Sequence, residues 1–244
     1  MNGQLDEKQL KAQVQNFLLR VTFAGEYARI KEAADEGTVI LSCLRLACND
    51  AFRRVTQNVE GSKTSLETAV RDERLRQCFD QYASLKTPQE HADYLLAQEE
   101  TLQQVFAGCK VVDDSSRALC FGHYQKLFNM AVKLYCCAYI YRDVLWGDRE
   151  ILKPYPFDQA DCPLDNKILQ SIDQLCQNLS ASDPVGELYS QVLKKAGVGK
   201  VQRIAWSKLD KNGKYKPEVY ILLQELIVKL NGGKCGLLYD FKNW

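Results

Sequence analysis

Apolar residues recur every three or four positions along most of the chain, the spacing of one helix face. From Leu5 to about Glu36 the series Leu10, Val14, Phe17, Leu18 and Val21 marks such a face, and Gly25 is placed to split the segment into two helices. Thr38 to Val59 repeats the pattern through Val39, Leu41, Leu44, Ala47, Ala51 and Val55, until Gly61 breaks it. Ser65 to Leu85 reads as a charged amphipathic helix on Leu66, Val70, Leu75, Phe79 and Tyr82. The clearest start follows. Thr87, Pro88 and Glu90 combine a capping hydroxyl, a proline at the first helical position and a carboxylate at the third, which together satisfy orphan backbone N–H groups. That helix is predicted to run to Phe106, with Gly108 ending it. Asp113 to Ser116 is a second capping cluster, placed to open a short helix before Gly122.

Residues 123–145 predict the central helix. Leu127, Met130, Ala131, Leu134, Tyr135 and Ala138 make one broad apolar face, and from Tyr135 to Tyr141 nearly every side is apolar, as in a buried helix. Gly147, Pro154, Pro156 and Pro163 then mark an irregular loop. Asp165 is placed to cap a helix through Cys176. Asp183 and Pro184 open another that closes near Gly197, and a last one runs from Pro217 to Asn231. No stretch alternates with the period of a strand. The expected fold is therefore all-α: a compact multi-helix bundle in a single domain over 1–244, divisible into lobes 1–110 and 111–244 with a cleft between them.

Composition narrows the functional classes. The chain has 244 residues, 46% hydrophobic and 26% charged, enough to bury a sizeable core. No apolar run is long enough to span a membrane, and the polar N-terminus lacks the stretch of a secretion signal. A cytoplasmic, reducing setting is expected, and the ten cysteines are read as buried thiols, because none stands in a C-x-x-C pair. Only His91 and His123 are present, which argues against zinc and against Ser-His-Asp chemistry, and leaves a cysteine nucleophile few basic partners. No cofactor or metal is expected.

The net charge is only +1, but the charges are uneven. Lys194, Lys195, Lys200, Arg203, Lys208, Lys211, Lys214 and Lys216 fall in one stretch against the single carboxylate of Asp210. Such an excess attracts phosphate, and it also suits a solvated connection. Gly197, Gly199 and Lys200 can form a turn whose N–H groups meet a phosphate, or a helix C-cap with a second permissive glycine. Trp206 and Trp244 can stack on bases or anchor packing. Glu99–Glu100 and Asp113–Asp114 read as solvated or capping carboxylates.

On the central helix Lys126, Asn129 and Lys133 form one polar stripe, which continues as Cys137 and Ile140 and so turns apolar toward its expected deeper end. Such a stripe suits a cleft floor, and equally a solvent-facing surface whose lysine stems cover apolar neighbours. In a cleft, a lysine amine that sheds its proton attacks an electrophilic carbon, and a facing carboxylate such as Asp165 steers the proton.

Gly122, Lys126, Asn129 and Pro163-Leu164-Asp165 resemble the signature of the helix-hairpin-helix DNA glycosylases, in particular the archaeal 8-oxoguanine type. The run Tyr155 to Asp158 is similar to the archaeal pattern too. The resemblance spans about fifty residues. It implies that Lys126 is the nucleophile of a glycosylase/lyase, that Asp165 assists, and that the substrate is DNA with the target base flipped out. On that reading Lys133, or Lys200 and Arg203 of the cationic stretch, are the expected phosphate contacts. Tyr124 stands where the family has its second hairpin glycine. Gln125-Lys126 with Asn129, Cys162-Pro163 with Asp165, and Trp206 with Leu209-Asp210 are also similar to uncharacterised bacterial all-helical proteins. The competing expectation is a non-enzymatic helical interaction module in which Lys126 and Asp165 are structural.

Overall fold

In a computed structural model the protein is all-α. The structure describes residues 7–56, 62–109, 111, 118–180 and 182–243, and the side chains of 7–10, 12, 53–56 and 62–65 lie outside that description. The predicted cap at Asp113–Ser116, the break at Gly61, Trp244, and the Leu10 and Val55 side chains therefore fall outside the described residues. Among the described residues there is no strand, only an isolated bridge between Leu209 and Tyr215.

Thirteen α-helices follow one another among the described residues. Helix α1 (Glu7–Phe23) turns at Ala24–Glu26 into α2 (Tyr27–Lys31), as Gly25 suggested, and α3 covers Glu36–Thr56. Two expected helices are each divided. Asp72 accepts the Arg74 N–H at 2.9 Å and starts α5 (Glu73–Ala83) separately from α4 (Ser62–Val70). Gln98 parts α6 (Pro88–Ala97) from α7 (Glu99–Val105). The Thr87 capping box is formed: Thr87 Oγ1 accepts the Glu90 N–H at 3.1 Å, and Glu90 Oε2 accepts the Thr87 N–H at 3.0 Å.

Helix α8 spans Phe121–Ile140 and hands over at Tyr141 to α9 (Arg142–Trp146). Helices α10 (Asn166–Cys176), α11 (Pro184–Ala196) and α12 (Pro217–Leu230) start at the expected caps. Helix α13 (Gly236–Asn243), after the Gly232–Gly233 break, was not expected, and it carries Asp240 into the core. All but four residues of α8 are buried, and α3 lies along it. Buried residues of α1, α3, α5, α6, α8, α10, α12 and α13 form one continuous apolar cluster, so helices from both halves of the chain share a core. No described helix is long and apolar enough to cross a membrane.

Candidate functional site

The polar stripe of α8 is inside the molecule. Lys126 is 7% exposed, Asn129 1% and Lys133 8%, whereas Ile140 at the far end is 61% exposed. The expected polarity of the stripe is thus reversed: its polar half is the deep half. A lysine survives in such a place only when its ammonium is paired, and both are. Lys126 Nζ lies 2.9 Å from Asp50 on α3, and Lys133 Nζ lies 2.5 Å from Asp240 on α13. Each ammonium also rests on a ring face, Lys126 on Trp206 at 5.0 Å and Lys133 on Phe241 at 5.4 Å.

The carboxylate that meets Lys126 is therefore Asp50, which the sequence did not single out. Asp165 is engaged as the N-cap of α10, where Oδ1 accepts the N–H groups of Lys167 and Ile168 at 2.9 and 3.0 Å. Its charge still belongs to the same neighbourhood. Burial raises the pKa of Asp240 above the ordinary carboxylate value, Lys133 opposes the rise, and the fields of Asp165 and Asp50 add to it. Asp50 and Asp165 thus lie within electrostatic reach of Asp240. The Asp50 side chain is 46% exposed, so the Lys126 pair stands at the border between core and solvent. The expectation that Lys133 meets phosphate is corrected: its charge is spent on buried Asp240. No group of described residues could hold a metal ion.

The segment from Lys194 to Lys216 reaches this border. Gly197 ends α11 in the left-handed conformation (φ 64°), with Val198 N–H on the Leu193 carbonyl at 3.1 Å. The N–H groups of Val201 and Gln202 both donate to Asp173, each at 2.8 Å. This turn is a helix C-cap tied to a carboxylate, and those N–H groups do not face solvent anions. The chain then crosses the first turn of α8 as a strap. Gly122 N–H donates to the Leu209 carbonyl at 2.8 Å, and a Cβ on Gly122 would lie 2.0 Å from the Trp206 carbonyl oxygen. Only glycine permits this approach. Within the family resemblance this position belongs to a hairpin that meets phosphate, whereas here it seats the strap.

The Trp206 ring stands edge-to-face with His123, centroids 6.0 Å apart, and carries Lys126 Nζ over its face. His123 Nδ1 accepts the Cys120 N–H at 3.2 Å and stands 3.3 Å from Cys120 Sγ, and that thiol donates to the Ser207 and Leu209 carbonyls. Histidine and thiol together cap α8 and anchor the strap. Among the cations of the strap, Lys211 pairs with Glu99 at 2.6 Å, so Glu99 is a buried ion-pair partner rather than a solvated carboxylate. Lys194, Lys195, Lys200, Arg203 and Lys208 are exposed, and no ion pair among the described residues engages them.

Behind the stripe lies a second polar group, missed in the sequence because its members are scattered. Asp161 Oδ2 is 2.9 Å from His91 Nδ1 and accepts the Tyr220 hydroxyl at 2.6 Å. Asn129 donates to Tyr220 at 3.1 Å and accepts from the Tyr82 hydroxyl at 2.6 Å, and the Tyr82 ring packs on His91 at 4.6 Å. Burial, first of all, holds both tyrosine hydroxyls protonated far above the usual range. A groove of about 410 Å³ lies elsewhere, between Pro88, Pro184, Leu188, Glu225 and Val228.

No family model, curated protein or solved structure matches the chain.

Proposed function

We propose that the protein is nucleic-acid-associated and carries out glycosylase/lyase-like base excision at Lys126, with DNA held by the cations of the strap. One observation carries the reading: Trp206, in the most cationic stretch of the chain, lies on the ammonium of Lys126, so a polyanion-attracting surface borders an amine–carboxylate pair. Lys200, Arg203, Lys194, Lys195 and Lys208 are the phosphate contacts. Lys126 passes a proton to Asp50, and the freed lone pair attacks C1′ of a flipped nucleotide. The N-glycosidic bond breaks with its electron pair going to the base, which leaves with the proton returned by the carboxylic acid. The C1′-bound nitrogen then gives one of its protons to O4′ as the C1′–O4′ bond breaks with its electron pair going to O4′, and the nitrogen lone pair closes the C1′=N bond of a protonated imine with Lys126. Asp165, at the mouth of α10, is the assisting carboxylate that balances this positive charge.

Borohydride reduction of the imine tests the step. Abasic-site duplex DNA is expected to cross-link to the parent protein and not to Lys126→Ala, and a parent that never cross-links ends the lyase reading. Salt dependence tests the binding: replacing both Lys200 and Arg203 by alanine lowers the slope of log K against log[salt] by about 2. A second reading has its own observation. The outer face of α1 leaves Phe17 and Val21 largely in solvent, which suits a helical protein-interaction module. A protein that binds no DNA at low salt leaves that reading in place.

A further inference from the structure

We infer that the buried ring of His91, Asp161, Tyr220, Asn129 and Tyr82 is a positioning device that sets the loop of Asp165 against the helix of Lys126. The inference rests on the base-excision reading above. All five members are 4% exposed or less. They come from four helices and one loop: Tyr82 from α5, His91 from α6, Asn129 from α8, Tyr220 from α12, and Asp161 from the loop that leads to Asp165.

Through Tyr220 the ring ties the helix of Lys126 to the loop of Asp165. Asn129 stands one turn beyond Lys126 on the same helix face, and Asp161 stands four residues before Asp165. From Ala160 to Leu164 the loop backbone makes four further hydrogen bonds. Gln224 accepts the Cys162 N–H at 2.9 Å and donates to the Cys162 carbonyl at 2.8 Å. Gln125, the neighbour of Lys126, accepts the Leu164 N–H at 3.5 Å. Leu237 N–H donates to the Ala160 carbonyl at 3.1 Å, and a Cβ on Gly236 would lie 2.6 Å from Cys162 N, so α13 presses on the loop as well.

Apolar side chains of the same volume would fill this space at no loss of stability, since desolvating such groups roughly offsets their mutual attraction. What hydrogen bonds add is direction. Each one fixes an angle as well as a distance, and a ring of them leaves the loop one register against α8. Loosening one link lets Asp165 drift relative to Lys126, without touching the strap or the amine itself.

The test compares hydroxyl deletions inside and outside the ring. Tyr220→Phe and Tyr82→Phe each remove one ring hydroxyl and little volume, while Tyr135→Phe removes a buried hydroxyl of α8 that bonds Glu36 and Lys153 instead. Single-turnover borohydride trapping on abasic-site DNA is measured for each, with DNA affinity and thermal melting alongside. The ring variants are expected to trap about ten- to a hundred-fold more slowly, with affinity within about two-fold of the parent. Tyr135→Phe is expected to lower the melting temperature comparably and to trap at the parental rate. Asp161→Asn, which keeps the shape of the ring, serves as a third ring variant should one tyrosine variant fold poorly. Ring variants that trap like the parent, or a Tyr135→Phe equally slow, overturn the positioning role and leave the Lys126 reading intact. A parent that does not trap at all removes that reading and this one with it.

Discussion

The outer face of α1 and the polar stripe of α8 are opposites of what their side chains suggest. On α1, Val14, Phe17, Leu18 and Val21 are exposed, with Phe17 at 64%, while Leu19 and Phe23 on the other side enter the core. On α8, Lys126, Asn129 and Lys133 are buried. Periodicity identifies a helix and its faces, but it does not say which face the rest of the fold covers. Helix α1 lies at the edge of the bundle, where there is core for one side only. Helix α8 is surrounded, so its polar residues had to find partners among other elements: Asp50, Asp240, Tyr82 and Tyr220.

The sharpest way to break this contrast is to remove a partner from the buried side. Lys133→Ala leaves Asp240 buried within the fields of Asp165 and Asp50, and is expected to cost about 3 to 5 kcal/mol in urea unfolding. Replacing both members, Lys133→Met with Asp240→Leu, is expected to restore most of that loss. On α1, Leu19→Ala is expected to cost about 3 kcal/mol. Asn129→Ala strands the Tyr82 hydroxyl and is expected to cost about 1 to 3 kcal/mol. Phe17→Ser, on the exposed face of α1, is expected to change stability by no more than about 0.5 kcal/mol. A large loss there would show that something covers the face.

Burial holds the proton of folded Asp240 above its ordinary pKa of 3.8, against the pull of Lys133. Between that value and the folded one, the native state binds a proton that the unfolded chain has released. The resulting stability is complete below the unfolded value and is lost as pH rises through the folded one. Unfolding followed from acid toward neutrality is expected to show this decline in the parent and not in Asp240→Asn. Phe17→Ser is expected to follow the parental curve.

Much of the helical order was legible because caps are local. Thr87, Asp165, Asp183 and Pro217 each mark their start within three residues, and the side chain and the N–H groups it satisfies are neighbours in sequence. The breaks at Asp72 and Gln98 were hidden, because apolar spacing continues across both. Helix α13 was hidden by its brevity, and Asp240 with it. Lys126 and Asp165 stood out by motif, and Lys200 and Arg203 by the local run of cations. Asp50 carried no such mark: it is one carboxylate on a long amphipathic helix, meaningful only once α3 lies against α8.

The order of amino acids by itself determined the all-helical class, most helix starts, the lack of a described helix long and apolar enough to cross a membrane, and the uneven placement of positive charge, since each follows from neighbours within a few residues. Tertiary packing alone decided that Lys126 meets Asp50, that Lys133 turns inward to Asp240, that the Trp206 strap crosses the start of α8, and that α1 keeps an apolar face in solvent. The physical reason is range. A cap or a helix face is settled within one or two turns, whereas a buried charge must be matched by whatever distant segment the closed core brings beside it.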